Sequence, residues 1–106
     1  MVTEAQWQRV VTDALSLHGY AWLHVHPLMT RSGGWRTPTS GTMAAGWPDL
    51  VAMHPTRGTT LFIELKAQRG VLSASQRHVH DLLRQAGHRV YVWRPNQLAE
   101  VLEALR

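Results

Sequence analysis

The chain has 106 residues, which is enough for one domain with a modest core, and we expect a single domain over residues 1–106. Its composition, 44% apolar and 17% charged, is typical of a folded protein, and the absence of cysteine excludes disulfides and thiolate metal sites. No apolar run approaches a membrane span and no signal-peptide pattern is visible, so we expect a cytoplasmic protein without a membrane partner. The net charge of +4 suits a polyanionic partner.

The first part of the chain predicts a helix and a strand. Thr3 to Gln6 fits a capping box, and apolar residues at helical spacing predict a helix over about residues 3–18. Alternating residues from Tyr20 to His26 predict a strand. The helix carries Glu4 in its first turn, where a carboxylate is also favoured by the helix dipole alone.

A long polar segment, Pro27 to Gly46, follows the strand and predicts a loop. Arg31, Arg36 and several hydroxyls in this loop are of the types that contact nucleic-acid phosphates, although a solvated loop also explains them. Arg69, later in the chain, is open to the same two interpretations. These three arginines are our candidate DNA-binding residues.

The central stretch predicts a β-hairpin. Two β-branched, apolar runs, 46–53 and 59–66, flank a Pro/Gly turn. Asp49 lies near the start of the first run, and Glu64 and Lys66 lie at the end of the second. These are the same end of an antiparallel pair, so we expect all three side chains to converge. Side chains two apart on a strand share a face, which places Glu64 and Lys66 together.

The rest of the chain completes an α/β fold. Ser73 to Gln76 is a second capping box and opens a helix over about residues 73–86. A strand over 88–93 and a helix after Pro95 follow. The order α-β-β-β-α-β-α predicts a mixed central sheet flanked by helices.

The converging side chains indicate a site for a hard cation. Adjacent carboxylates of Asp49 and Glu64 repel each other, and a divalent ion removes that repulsion. Oxygen-only ligands favour Mg²⁺ or Mn²⁺, which would polarise a phosphodiester and lower the pKa of a bound water. Lys66 is the only lysine beside ten arginines, which marks it for chemistry that needs an amine. A Glu64–Lys66 salt bridge is the structural alternative, but it leaves Asp49 unexplained.

Histidines give a weaker signal. His78 and His80 lie two residues apart on a predicted helix, where side chains do not face each other, so they form a poor metal-ligand pair. His24 and His26 share a strand face, but no third ligand is spaced to complete a zinc site.

Several motifs of the chain form one pattern, whose core is Pro48-Asp49 and Glu64-Leu65-Lys66. The sequence around this core adds Gly46-Trp47 before it, Ala67-Gln68-Arg69-Gly70 after it, then Leu72-Ser73 with Gln76, and Tyr91-Val92-Trp93-Arg94-Pro95. Together these motifs resemble the VRR-NUC branch of the PD-(D/E)xK nuclease superfamily. The resemblance covers nearly the whole chain. It implies a restriction-endonuclease-like core and a Mg²⁺- or Mn²⁺-dependent endonuclease.

The resemblance also implies roles for individual residues. Asp49, Glu64 and the backbone carbonyl of Leu65 would be metal ligands, and Lys66 the catalytic lysine. Glu4 corresponds to the acid of the family's first helix. Gln76 corresponds to a further motif residue on the helix after Glu64-Leu65-Lys66, although the capping box alone would also account for a glutamine there.

Small stand-alone members of this family occur in bacteriophages and resemble Holliday-junction resolvases of DNA repair and recombination. The resemblance therefore implies a homodimer that cuts branched DNA, because paired nicks on a two-fold junction require two sites related by two-fold symmetry. Two alternatives stay open: a flap or restriction-type nuclease on the same fold, and a DNA-binding module without catalysis.

Overall fold

A computed structural model of the protein describes residues 2–25 and 40–106, together with the backbone of two short strands between them. The helices are α1 (Glu4–Leu17), α2 (Ala74–Gln85) and α3 (Leu98–Leu105), the last preceded by a 3₁₀ turn, Pro95–Gln97. The strands are β1 (Ala21–His24), β2 (Leu28–Met29), β3 (Trp35–Arg36), β4 (Leu50–His54), β5 (Thr59–Leu65) and β6 (Arg89–Trp93).

Both predicted capping boxes are present and start their helices. Thr3 Oγ1 accepts from Gln6 N while Gln6 Oε1 accepts from Thr3 N, and Ser73 and Gln76 repeat this exchange at α2. Each exchange satisfies two backbone donors that a helix leaves unpaired at its first turn. Both helices therefore begin within one residue of the predicted position.

The main sheet has four strands in the order β1-β4-β5-β6. The hairpin β4–β5 is antiparallel and forms its centre, β1 pairs antiparallel with β4, and β6 returns parallel to β5 after α2. The predicted order and the mixed sheet are thus confirmed. Two details differ: β4 begins at Leu50 rather than at Gly46, and the predicted loop contains the small antiparallel ladder β2–β3.

Alternation along β5 divides the core into two layers. Leu61, Ile63 and Leu65 are buried on the side of the sheet covered by α1 and α3. Phe62 lies on the other side and packs against Val79 of α2. Glu64 shares the parity of Phe62, so its carboxyl group is directed toward α2 rather than toward α1.

Two buried tryptophans connect α1 to the sheet. The backbone carbonyl of Trp93 accepts the indole N–H of Trp7 at 3.0 Å and the backbone N–H of Lys66 at 3.1 Å. Both tryptophans therefore belong to the core. Their shared hydrogen-bond acceptor sets the first helix against the end of β5, where Lys66 lies.

Candidate active site at the end of the central hairpin

Asp49 lies where the β4–β5 ladder ends. Leu50 pairs with Ile63, and the same register carried one residue further sets Asp49 opposite Glu64. Asp49 Oδ2 accepts a hydrogen bond from the backbone N–H of Leu65 at 2.8 Å. The carboxylate therefore takes the place of a backbone acceptor, and it is held beside the end of β5.

Pro48 leaves the backbone carbonyl of Leu65 without a hydrogen-bond donor from β4. Odd-numbered residues of β5 exchange backbone hydrogen bonds with β4, and the extended register sets Pro48 opposite Leu65. Proline has no N–H, so it provides no backbone donor for that carbonyl. The sequence Pro-Asp thus leaves a backbone oxygen available next to two carboxyl groups.

Glu64 is an acid in a buried position. Its residue surface is only 1% exposed. Burial raises the pKa of Glu64 to about 9, helped by a hydrogen bond and by repulsion from the Asp49 carboxylate, while Lys66 acts in the opposite direction. Without a cation, Glu64 therefore keeps its proton at neutral pH.

Lys66 is half-buried and follows β5 directly. Its charge lowers the pKa of Glu64, which places the ammonium near the carboxyl pair. No salt bridge within 4.0 Å involves Lys66 in the described part of the chain, so a Glu64–Lys66 ion pair does not account for these residues. The amine is therefore available to a substrate.

Glu4 approaches the same place from α1. It is exposed in the first turn of the helix and, with Asp49 and Leu65, lines a cleft of about 460 Å³. Its negative charge is also one of the causes that raise the pKa of Glu64. The first turn of α1 thus adds a third carboxyl group beside the end of the hairpin.

Gln76 makes the contacts of a capping residue. Its Oε1 accepts from Ser73 N at 2.9 Å and its backbone N–H donates to Ser73 Oγ at 3.1 Å. The side-chain oxygen is therefore occupied at the start of α2. A role of Gln76 in chemistry remains a prediction.

The described residues contain a contact that the sequence did not indicate. His80, one turn after Gln76 on α2, places Nε2 3.1 Å from Glu64 Oε1, with both side chains buried. Burial and then the nearby Arg84 lower the pKa of His80. The contact is thus a hydrogen bond between a neutral imidazole and the acid. The one feature of the sequence that points to this contact is the position of His80 next to Val79, on the buried side of α2.

The candidate DNA-binding arginines are only partly described. Arg69 is exposed in the turn after Lys66. Arg31 and the side chain of Arg36 lie outside the described residues, so the loop's contribution to binding stays a prediction. Arg94 Nη2 donates to the Gly70 carbonyl at 2.7 Å and fixes the turn that carries Arg69.

The site residues fit a hard cation, which prefers oxygen ligands, better than a metal that prefers nitrogen ligands. Among the described residues, no group of three or more His, Cys, Asp and Glu side chains could hold a metal by itself. Asp49, Glu64 and the Leu65 carbonyl offer oxygen ligands only. Mg²⁺ and Mn²⁺ accept a few protein oxygens and keep water in their other positions, so this set suits them.

The segment that carries Asp49 lies in close contact with the start of α2 at Gly46, which has no side chain. Gly46 has a φ of +92°, and a Cβ added there would collide with the Ser75 carbonyl and lie 2.8 Å from Gln76 N. We expect Gly46→Ala to lower the free energy of unfolding by roughly 2–4 kcal/mol, because backbone strain and overpacking add. Urea unfolding measures this.

Gly58→Ala is the matched control for that substitution. Gly58 also has a positive φ, +64°, but a Cβ there meets nothing within 4 Å. Its cost should stay near the roughly 1 kcal/mol of backbone strain alone. Equal losses in the two variants would contradict the close approach of Gly46 to α2.

No helix in residues 2–25 and 40–106 is long and apolar enough to cross a membrane.

Comparisons with known proteins agree with this fold. A search of curated proteins gives no significant match. A solved structure described as a VRR_NUC domain matches with a TM-score of 0.69 at 22% identity, covering 94% of each chain, which supports the PD-(D/E)xK-like core. The sequence model of the VRR-NUC domain matches residues 34–97, which include Asp49, Glu64 and Lys66 but not Glu4. The chain therefore belongs to the VRR-NUC family of nuclease domains.

Proposed function

We propose that this protein is a Mg²⁺- or Mn²⁺-dependent endonuclease that hydrolyses phosphodiester bonds in branched DNA. The observation that supports this most is the pair formed by Asp49 and buried Glu64, in which burial and repulsion raise the pKa of Glu64 to about 9. A protein gains nothing in stability from such a pair. A divalent cation bound by both carboxylates would attract each of them and so remove their mutual repulsion.

Asp49, Glu64 and the Leu65 carbonyl would hold the ion at the end of the hairpin. A cation bound there supplies positive charge that polarises a phosphodiester and lowers the pKa of water. Asp49 keeps its orientation through the hydrogen bond from Leu65 N. The ion would displace the proton of Glu64, which fits a site that is protonated without metal.

Lys66 would act on the substrate directly. Its ammonium donates hydrogen bonds to the attacking water or to a phosphate oxygen, where negative charge develops in the transition state. The backbone hydrogen bond from Lys66 N to Trp93 O fixes the base of the side chain. Glu4, across the cleft, would hold water beside the ion.

Branched DNA is the proposed substrate, and a homodimer the proposed active form. The net charge of +4 suits a DNA backbone. Strand β1 is at the edge of the sheet, and Trp22 and Leu23 on it are 42% and 63% exposed, which offers apolar surface to a second copy. Two copies related by two-fold symmetry would nick opposite strands of a four-way junction.

The test compares end-labelled four-way junctions, flaps and linear duplexes, each with Mg²⁺, Mn²⁺ or a chelator. We expect the junction to be cut fastest with either ion, in paired nicks, and no product with the chelator. Cleavage that survives chelation would contradict the metal, and equal rates on all three substrates would contradict the branched substrate. DNA binding without cleavage under any condition would establish a binding module instead.

Light scattering on the same preparation tests the active form. Two chains per particle are expected at the working concentration. A mass of one chain in a preparation that still makes paired nicks would contradict the dimer.

A further inference from the structure

His80 occupies a position where the core could have used an apolar residue. It follows Val79 among the buried residues of α2, and only 1% of its surface is exposed to solvent. Phe62, Val79 and Leu83 form the apolar cluster on this side of the sheet. A buried imidazole in such a place needs hydrogen-bond partners or costs stability.

Only one of its two ring nitrogens has a partner. Nε2 lies 3.1 Å from Glu64 Oε1, whereas the buried Nδ1 has none. Nδ1 is unsatisfied in either tautomer: it is a bare lone pair when Nε2–H donates to the acid, and an unpaired N–H when Nε2 accepts from the protonated acid. A methionine of similar size would avoid this cost. The imidazole is therefore better explained by what it does to Glu64 than by packing.

The contact holds one oxygen of the Glu64 carboxyl group. Oε1 is held from the side of α2, and the same carboxyl group also makes contact with Asp49. With one oxygen held, rotation about the last side-chain bond is restricted. The contact with Asp49, which itself accepts from Leu65 N, holds the same carboxyl group at the end of the hairpin.

We propose that His80 is a positioning residue that orients Glu64 for a divalent cation through its Nε2–H. This inference rests on the proposed function, since it assumes that Glu64 holds the ion. His80 itself is not a ligand in this account, because Nε2 is engaged with the acid. Outer partners that orient a ligand commonly change metal affinity by about 10- to 100-fold when they are removed.

Three variants separate orientation from packing. His80→Met removes the donor at similar volume, and His80→Gln keeps an N–H donor on a side chain of comparable length. His78→Met makes the same change two residues earlier on α2, where the side chain is exposed. Mn²⁺ affinity by titration calorimetry and urea unfolding of the metal-free proteins are measured on each, beside wild type.

We expect His80→Met to weaken Mn²⁺ binding by about 10- to 100-fold while the metal-free protein stays as stable as wild type or becomes more stable. The Mn²⁺ affinity of His80→Gln should remain within about fivefold of wild type, and that of His78→Met should equal wild type. Unchanged Mn²⁺ affinity in His80→Met overturns the inference and leaves the proposed function intact. Equal loss of affinity in His80→Met and His80→Gln, with lower metal-free stability in both, shows a packing role and overturns it as well.

A wild-type protein that binds no Mn²⁺ at all would have a different meaning. It would contradict the proposed cation site, and the role of His80 would fall with it. The wild-type titration therefore tells the two failures apart.

Discussion

Replacing Lys66 with methionine should lower the rate of DNA cleavage by about 10²- to 10³-fold or more, while Mn²⁺ affinity stays within a few-fold of wild type. The ammonium lies near the carboxyl pair, is half-buried and has no salt bridge within the described part of the chain. Its removal takes away a donor to the transition state but no oxygen ligand. Single-turnover cleavage and calorimetric titration separate the two effects.

The matched control is Arg89→Met. Arg89 is exposed and pairs with Leu61 at the far end of β5 and β6, whereas Leu65 and Trp93 pair at the end near Lys66. This variant loses the same positive charge, so it shares any general weakening of DNA binding. If both variants slowed the chemical step equally, Lys66 would contribute only charge and its assignment would be wrong.

Replacing Glu64 with glutamine should change how stability depends on pH in the metal-free protein. The pKa of Glu64 is raised from 4.5 to about 9, so the native state keeps a proton that the unfolded chain releases, and wild-type stability falls as pH rises through this window. The lowered pKa of His80 acts in the opposite sense, but only below 6.5. Between pH 6.5 and 9, wild type should therefore lose roughly 2–3 kcal/mol.

Glu64→Gln should remove most of that slope, because an amide does not ionise. Urea unfolding with a chelator present, at steps between pH 6.5 and 9, measures it. Glu100→Gln, on the exposed face of α3, serves as the control and should keep the wild-type slope. Parallel profiles for wild type and Glu64→Gln would contradict the buried acid pair.

Much of this site could be predicted from local sequence rules. The β-branched runs fix a hairpin, and its antiparallel register brings Asp49 to Glu64 because only one alignment buries Leu61, Ile63 and Leu65 together. The capping boxes fix the starts of α1 and α2 because their hydrogen bonds are made within four residues. The capping partners lie within four residues of each other, and the two strands of the hairpin follow each other directly in the chain, so both interactions are local in sequence.

The contact between His80 and Glu64 is different in kind. It depends on how α2 crosses the sheet, and that is decided by the packing of Phe62, Val79 and Leu83 and by the absence of a side chain at Gly46. The periodic pattern of the sequence predicts which face of α2 is buried, but not the angle at which the helix crosses the sheet. The spacing of His78 and His80 bears on metal ligation by the helix, but it carries no information on a hydrogen bond from His80 to a side chain of the sheet.

The central claim is that Asp49 and Glu64 are arranged for a cation that replaces a proton. The most direct test is the shift in the unfolding midpoint of wild type and Glu64→Gln on adding Mn²⁺ at pH 6.5 and at pH 8.5. We expect a larger shift for wild type at the higher pH, where fewer protons compete, equivalent to about 2.7 kcal/mol at 100 times Kd. Glu64→Gln should shift little at either pH. Equal shifts in the two proteins, or none in wild type, would contradict the claim.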